Sequence, residues 1–210
     1  MTVIVDYGVG NIFSLRSSFG TLGEEAAVTS CPQTVRQAGR IVLPGVGAFA
    51  DAAKQLKRTG LAGAVADAAL SGTPVLGICL GMQLLFERSF ENGVHQGLGL
   101  IGGSVRPIRE SAAEGLKTPQ IGWNRLILSQ PVHPLFRFLK ESEYVYFVHS
   151  YHAVCPERFI TARTEYGGLL TAAAAKGNVM GCQFHPEKSG PAGLKILKAF
   201  CMMQRGDFVC

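Results

Sequence analysis

The sequence predicts an α/β fold with a largely parallel central sheet, helices on both faces and a mixed or antiparallel C-terminal half. Three observations predict it. Short apolar or β-branched runs alternate with stretches of helical periodicity through the first part of the chain. Glycine-rich loops follow these runs, and from about Gly93 strand patterns succeed one another with little helix between them. The 210 residues, 47% apolar and 17% charged, suit one well-filled core, so a single domain over residues 1–210 is expected.

Thr2 to Val5 is a β-branched run that ends at Asp6-Tyr7-Gly8-Val9-Gly10-Asn11, after which Ile12, Leu15, Phe19 and Leu22 recur at helical spacing. Strand, glycine loop and helix return in the same order with Arg40 to Leu43, then Pro44-Gly45-Val46-Gly47, then a helical pattern from Ala50 to Lys57. They return once more in Thr73 to Phe86, an apolar run that breaks at Gly77-Ile78-Cys79-Leu80-Gly81 and resumes. Strands alternating with helices at this interval imply a parallel sheet covered on both faces. Beyond Gly93 the strand patterns are the glycine-rich 97–103, Gln120 to Leu128, Tyr144 to Val148, Phe159 to Thr164, Leu169 to Ala175 and Val179 to Phe184. A last helix carries Leu194, Leu197, Phe200 and Cys201 on one face. There is no internal repeat, low-complexity tract or linker to mark a boundary.

Composition excludes several classes of function. No apolar stretch approaches the 18 or so residues needed to span a bilayer, and Met1 to Asp6 carries no basic leader, so the chain reads as a soluble cytoplasmic protein with no membrane partner. The six cysteines are scattered, without a C-x-x-C pair or a His/Cys cluster at zinc spacing, which argues against a disulfide scaffold or a metal site. A net charge of +5 comes without a basic run or an aromatic-interleaved stripe, so nucleic-acid binding is disfavoured. The excess suits a partner or substrate that carries acidic or phosphate groups.

The break at Cys79 has the layout of a nucleophile elbow with cysteine in place of serine: a buried strand ends in a sharp turn and a helix begins. Glycines two before and two after remove the side chains that would collide there. At a helix N-terminus unpaired N–H groups and the dipole favour an anion, and a thiolate is one. The N–H of Leu80 would point to where an oxyanion forms in acyl transfer. These features alone fit a buried core cysteine as well as a nucleophile. A nucleophile also needs a base and a group that orients the base. Of five histidines, His185 ends an apolar strand in Cys182-Gln-Phe-His-Pro-Glu187, and Pro186 biases it toward extended geometry. In an extended segment residues two apart share a face, so the Glu187 carboxylate can hold the His185 imidazole in its working tautomer.

Taken together, Gly77-Ile-Cys-Leu-Gly-Met-Gln83 and His185-Pro-Glu187 resemble the class I (triad) glutamine amidotransferases. Within that class, D-Y-G-V-G-N at 6–11, P-G-V-G-A-F at 44–49, G-W-N at 122–124, Y-F-V-H-S-Y at 146–151 and H-P-E-K-S at 185–189 resemble the glutaminase subunits of imidazole glycerol phosphate synthases. The resemblance implies that Cys79 attacks the glutamine side-chain amide to give a γ-glutamyl thioester and ammonia, with His185 as acid and base and Glu187 orienting it. It implies an oxyanion hole from the N–H groups of Val46 and Leu80, the first in a loop whose flanking glycines let the peptide rotate. Gly47, Gln83, Glu91, Ser150 and Tyr151 would bind glutamine, Glu91 at its α-ammonium and Ser150 and Tyr151 at its α-carboxylate. His149 is close in sequence, but the H-P-E context makes His185 the better base.

Asn11, Trp123, Asn124 and Lys188 would face a separate (β/α)8-barrel cyclase subunit, giving a heterodimer in which ammonia passes between active sites. No cofactor and no metal are implied. Two other readings share the elbow: a paralogous amidotransferase for surface-sugar amidination, and a DJ-1/PfpI-like cysteine protein, whose members usually lack the strand-terminal H-P-E pair. For Cys31, Cys155, Cys182, Cys201 and Cys210, core packing is the expected role.

Overall fold

A computed structural model describes residues 1–113, 115–140 and 143–207. The N-terminal half contains strands Thr2–Val5 (β1), Ala26–Thr29 (β2), Arg40–Leu43 (β3) and Val75–Ile78 (β4). Between them lie helices Ile12–Thr21 (α1), Pro32–Arg36 (α2), Phe49–Arg58 (α3) and Leu61–Leu70 (α4). A short helix, Leu80–Leu84 (α5), is followed by strands Phe86–Ser89 (β5), His95–Gln96 (β6), Ile101–Pro107 (β7), Gln120–Arg125 (β8) and Ile127–Leu128 (β9). Then come Tyr144–His149 (β10), Tyr151–Val154 (β11), Ile160–Glu165 (β12), Leu169–Lys176 (β13), Val179–Cys182 (β14) and helix Gly190–Cys201 (α6).

The main sheet has the order β2-β1-β3-β4-β14-β13-β12-β9. From β2 to β14 every pairing is parallel, and from β14 to β9 every pairing is antiparallel. The mixed sheet therefore changes sense at β14, which lies between the two halves. β1, β4 and β14 are buried at every residue, as strands covered on both faces must be. Side chains of the parallel strands β1, β3 and β4 alternate between two cores. Val3, Val5, Leu43 and Val75 pack with α3 and α4 on one face, and Ile4, Val42, Leu76 and Ile78 pack with α1 and α6 on the other. Two smaller sheets, β11-β7-β5-β6 and β10-β8, complete the C-terminal half.

Most expected elements are present with small shifts at their ends, but the strand expected at 97–103 lies at Ile101–Pro107, because the N–H groups of residues 97–100 turn to the Leu84–Glu87 carbonyls, and the apolar run after the elbow does not remain helical. α5 stops at Leu84 because the N–H groups of Leu98, Gly99, Leu100 and Ile101 donate to the carbonyls of Leu84, Phe86 and Leu85 at 2.8–3.1 Å. Those pairings turn the next residues into β5. β2, α2 and α4 complete the strand–helix alternation where the sequence pattern was silent. Among the described residues no helix is long and apolar enough to cross a membrane.

Candidate active site

The parallel pairing of β14 with β4 sets Cys182 opposite Ile78, so the segments that leave the two strands emerge at the same carboxyl edge. From β4 comes Cys79. Its φ of 55° and ψ of −113° are a strained geometry for a residue with a side chain, worth of order 1–3 kcal/mol, and the surrounding backbone enforces it. The Cys79 N–H donates to the Cys182 carbonyl at 2.8 Å. A Cβ on Gly81 would lie 1.8 Å from the Leu43 carbonyl oxygen, and one on Gly77 2.6 Å from the Gly81 oxygen. The turn closes only because both positions lack side chains. Cys79 is 7% exposed and stands at the position just before α5, with no side-chain bond to the helix.

From β14 the chain runs on to His185, whose φ of −101° and ψ of 97° are extended, as the following proline requires. Glu187 does not continue in extended form, because Pro186–Lys188 is a 3-10 turn. The carboxylate reaches the imidazole around that turn, with Glu187 Oε1 at 2.7 Å from His185 Nδ1 and both side chains closed to solvent. Ser189 fixes the turn: its hydroxyl donates to the His185 carbonyl at 2.6 Å and accepts the Tyr146 N–H at 3.0 Å. A carboxylate only accepts, so Nδ1 carries a proton and Nε2 is left for chemistry. That Nε2 is buried without a hydrogen-bond partner, and the Cys79 sulfur acts on its charge. Burial disfavours the imidazolium, but Cys79 on one side and Glu187 on the other outweigh it and raise the His185 pKa to about 9.

The remaining expected residues surround this pair. Gly47, Gln83, Glu91, Ser150 and Tyr151 all line one cavity of about 390 Å³ that opens onto Cys79 and His185, a size suited to a small ligand. Glu91 is not a free surface charge, since one of its oxygens accepts the Phe49 N–H at the start of α3 (2.8 Å). Gln83 donates to the Tyr151 carbonyl (3.0 Å) and to Gln183 Oε1 (2.9 Å). His149 also lines the cavity, but both of its ring nitrogens are engaged and burial lowers its pKa to about 4.

At the expected oxyanion position the Leu80 N–H is already occupied, donating to the Gly45 carbonyl at 3.3 Å. Val46, next in the loop, is 40% exposed, and Gly47 has a φ of +91°. Tyr7, buried in the core, donates its hydroxyl to the Pro44 carbonyl at 2.6 Å and holds the root of this loop.

Asn11, Trp123, Asn124 and Lys188 lie on neighbouring elements. Asn11 caps α1, which packs on the 186–188 turn carrying Lys188. Trp123 is 53% exposed and edge-on to Tyr146 at 6.0 Å, and the Lys188 ammonium lies 5.8 Å from the same Tyr146 ring.

Three supporting residues were not anticipated. Gln183 and Ser189 flank His185, and period-two alternation along the strand was the available signal for Gln183. Tyr7 gave none, because its partner carbonyl is 37 residues away. Cys182 and Cys201 are buried and Cys155 half-buried, in line with core packing, whereas Cys31 is exposed at the N-terminus of the surface helix α2 and corrects that expectation. Cys210 lies outside the described residues. Among the described residues no cluster of His, Cys, Asp or Glu could hold a metal ion.

Comparison with known proteins agrees with this geometry. The family profile described as Glutamine amidotransferase class-I matches residues 3–203. The imidazole glycerol phosphate synthase subunit HisH of Sulfurimonas denitrificans is 48% identical over 202 residues, spanning 95% of this chain and 97% of that protein. The protein of the same name from Lactococcus lactis is 46% identical over 199 residues, spanning 94% and 96%. A crystal structure of a glutamine amidotransferase matches with a TM-score of 0.73 at 19% identity, covering 95% of this chain and 99% of that one. PurLQS from Thermotoga maritima matches at 0.75 and 20%, covering 95% and 96%. These two structures speak for the fold alone.

Proposed function

Because the chain belongs to the class-I glutamine amidotransferase family, we propose that Cys79, His185 and Glu187 are the triad with which it hydrolyses the side-chain amide of glutamine. It is an enzyme, a glutaminase whose ammonia serves histidine biosynthesis. The observation that carries the triad is the His185–Glu187 pair at 2.7 Å, which leaves the buried Nε2 without a partner on a ring that lines the same cavity as Cys79.

The Cys79 thiolate attacks the amide carbon, and the carbonyl oxygen becomes an oxyanion. As the C–N bond breaks, His185 gives its Nε2 proton to the leaving nitrogen, which departs as ammonia and leaves a γ-glutamyl thioester. The neutral His185 then takes a proton from water, whose oxygen attacks the thioester. Collapse of that second intermediate releases glutamate and returns the thiolate and imidazolium. Glu187 keeps Nδ1–H in place throughout and stabilises the imidazolium. Glu91 receives the α-ammonium of glutamine, and the Ser150–Tyr151 segment its α-carboxylate, with Gly47 and Gln83 completing the pocket.

The oxyanion needs the N–H groups of Leu80 and Val46, and in this conformation the Gly45 carbonyl holds the first of them. Turning the Gly45–Val46 peptide by roughly half a turn withdraws the carbonyl and aims the Val46 N–H at the same point. Removing one oxyanion donor lowers turnover by about 10²–10³-fold, which is enough for a switch. We assign the trigger to a (β/α)8-barrel synthase subunit that docks over Asn11, Trp123, Asn124 and Lys188, forms a heterodimer and receives the ammonia directly. The chain works as a single domain in the cytoplasm.

The test is labelling by 6-diazo-5-oxonorleucine, with and without the barrel subunit and its nucleotide ligand. Labelling at Cys79 that rises with the partner and disappears in Cys79→Ala supports the reading. Labelling at another cysteine, or glutaminase activity that survives Cys79→Ala, overturns it.

A further inference from the structure

A buried polar chain leads away from the nucleophile to the strand that carries Trp123. Gln183 Nε2 lies 3.7 Å from Cys79 Sγ, and Gln183 Oε1 accepts from Gln83 Nε2, which also donates to the Tyr151 carbonyl. His149 Nδ1 meets the same carbonyl at 2.8 Å. On its other side His149 Nε2 meets Gln120 Oε1 at 2.9 Å, across the β8–β10 pairing that sets Gln120 opposite His149. Gln120 Nε2 donates to Asn124 Oδ1 at 2.9 Å, and Asn124 Nδ2 to the Glu165 carbonyl at 3.0 Å. Gln83, Gln120, His149 and Gln183 are all buried.

The direction of these bonds is constrained at both ends by carbonyls, which only accept. Since Asn124 donates to Glu165, its oxygen must take the Gln120 N–H, and the Gln120 oxygen then requires a proton on His149 Nε2. The Tyr151 carbonyl requires one on Nδ1. Both demands are met only by an imidazolium, and burial favours the neutral ring, whose pKa is lowered to about 4. With one proton on the ring, one of its two links is an acceptor facing an acceptor.

The conflict disappears if both amides invert. Asn124 Nδ2 then donates to Gln120 Oε1, Gln120 Nε2 donates to His149 Nε2, and Nδ1–H is fixed on the Tyr151 carbonyl. Inversion turns Asn124 Oδ1 toward the Glu165 carbonyl, so it needs an outside donor that draws Asn124 away. A docked subunit presenting an N–H or O–H group at Asn124 supplies one.

We propose that Gln120 and His149 are positioning residues that couple Asn124, at the docking face, to the Tyr151 wall of the glutamine pocket through amides that invert together. The inference rests on the functional reading above, in which a barrel subunit covers Asn124. Docking would replace a chain with one frustrated link by a chain with none, and so stiffen the segment that receives the α-carboxylate of glutamine.

The experiment uses full-length chain with 15N-labelled histidine, free and in complex with the barrel synthase, together with glutaminase kinetics of the complex. In the complex His149 is expected as the neutral Nδ1–H tautomer, with a different tautomer distribution in the free chain. Gln120→Leu breaks the chain, and Asn124→Asp can accept from Gln120 but cannot donate. Each is expected to raise KM for glutamine roughly fivefold, the size of one lost hydrogen bond, with a smaller change in kcat. Asn124 is partly exposed, so its variant keeps the test open should Gln120→Leu fail to fold. His149 nitrogen shifts that are the same in free and bound chain, or a wild-type KM in Asn124→Asp, overturn the relay while leaving the glutaminase reading intact. A wild-type chain that no barrel synthase stimulates overturns the docking reading and the relay with it.

Discussion

Glu187 Oε1 sits 2.7 Å from His185 Nδ1, and the two side chains are only 1% and 2% exposed, so the carboxylate serves the imidazole and almost nothing else. Its second oxygen is buried without a partner. A lone buried carboxylate would be costly, and the neighbouring imidazolium is what makes it tolerable.

Glu187→Gln keeps the shape but removes the charge and loosens the choice of tautomer. Partner-stimulated kcat should fall by about 10²–10⁴-fold, the range for a displaced general acid–base, while KM for glutamine changes little. Steady-state glutaminase assays of the complex decide it, and turnover like the wild type's would remove Glu187 from the triad.

The raised pKa of His185 makes a signed prediction about stability. A folded-state pKa of about 9 against an unfolded value of about 6.5 contributes stability that is fully present below pH 6.5 or so and is lost as pH rises through about 9. Cys79→Ala removes one of the two groups that raise it and should lower the titration midpoint. Denaturant unfolding across this range, with the His185 ring followed by NMR, reads both effects. An unchanged midpoint in Cys79→Ala would mean that the sulfur does not act on the imidazole.

Two glycines should respond in opposite directions to alanine. At Gly81 the new methyl group would sit 1.8 Å from the Leu43 oxygen, so Gly81→Ala should destabilise by at least about 3 kcal/mol or prevent folding. Gly63, exposed in α4 with nothing within 4 Å of its would-be Cβ, should gain about 0.5–1 kcal/mol as Gly63→Ala. Melting curves of the two variants settle the contrast.

Tyr7→Phe deletes the hydroxyl that holds the Pro44 carbonyl. Loss of this buried bond should reduce stability by about 1–2 kcal/mol. If the hydroxyl also anchors the loop whose peptide must turn, kcat of the stimulated enzyme should fall by less than the about 10²–10³-fold cost of a missing oxyanion donor, with KM unchanged. A fall in stability with wild-type kcat would confine Tyr7 to packing.

Trp123 is half exposed on the free chain and rests edge-on against Tyr146. Trp123→Ala should weaken binding of the barrel subunit by at least about 2 kcal/mol, as loss of an aromatic anchor does, and leave the melting temperature nearly unchanged. Calorimetric titration measures the first, and equal affinity would place the interface elsewhere.

The strand–helix alternation and the H-P-E segment were legible because period and turn chemistry are local properties. β2 and α4 were not, since four residues of Ala-Ala-Val-Thr and an alanine-rich helix carry little periodic signal until neighbours bury one side. The end of α5 escaped for a related reason, because the groups that stop it arrive from residues 98–101. In the site, Cys79, His185 and Glu187 stood out through their glycine, strand-end and proline contexts. Gln120 and Gln183 did not, as a buried glutamine looks like any surface glutamine until its partners are placed.

The sequence by itself determined the kind of chemistry: a thiol held at a turn that only flanking glycines permit, and a carboxylate two residues beyond a strand-terminal histidine, although the 3-10 turn that joins those two was seen only in the structure. Local sterics and spacing suffice for that. The tertiary structure alone decided that β14 runs parallel to β4, which brings the cysteine and the histidine to one edge, and that the Gly45 carbonyl occupies the Leu80 N–H. Strand order and a hydrogen bond across 35 residues depend on how distant segments pack, and no local pattern encodes them.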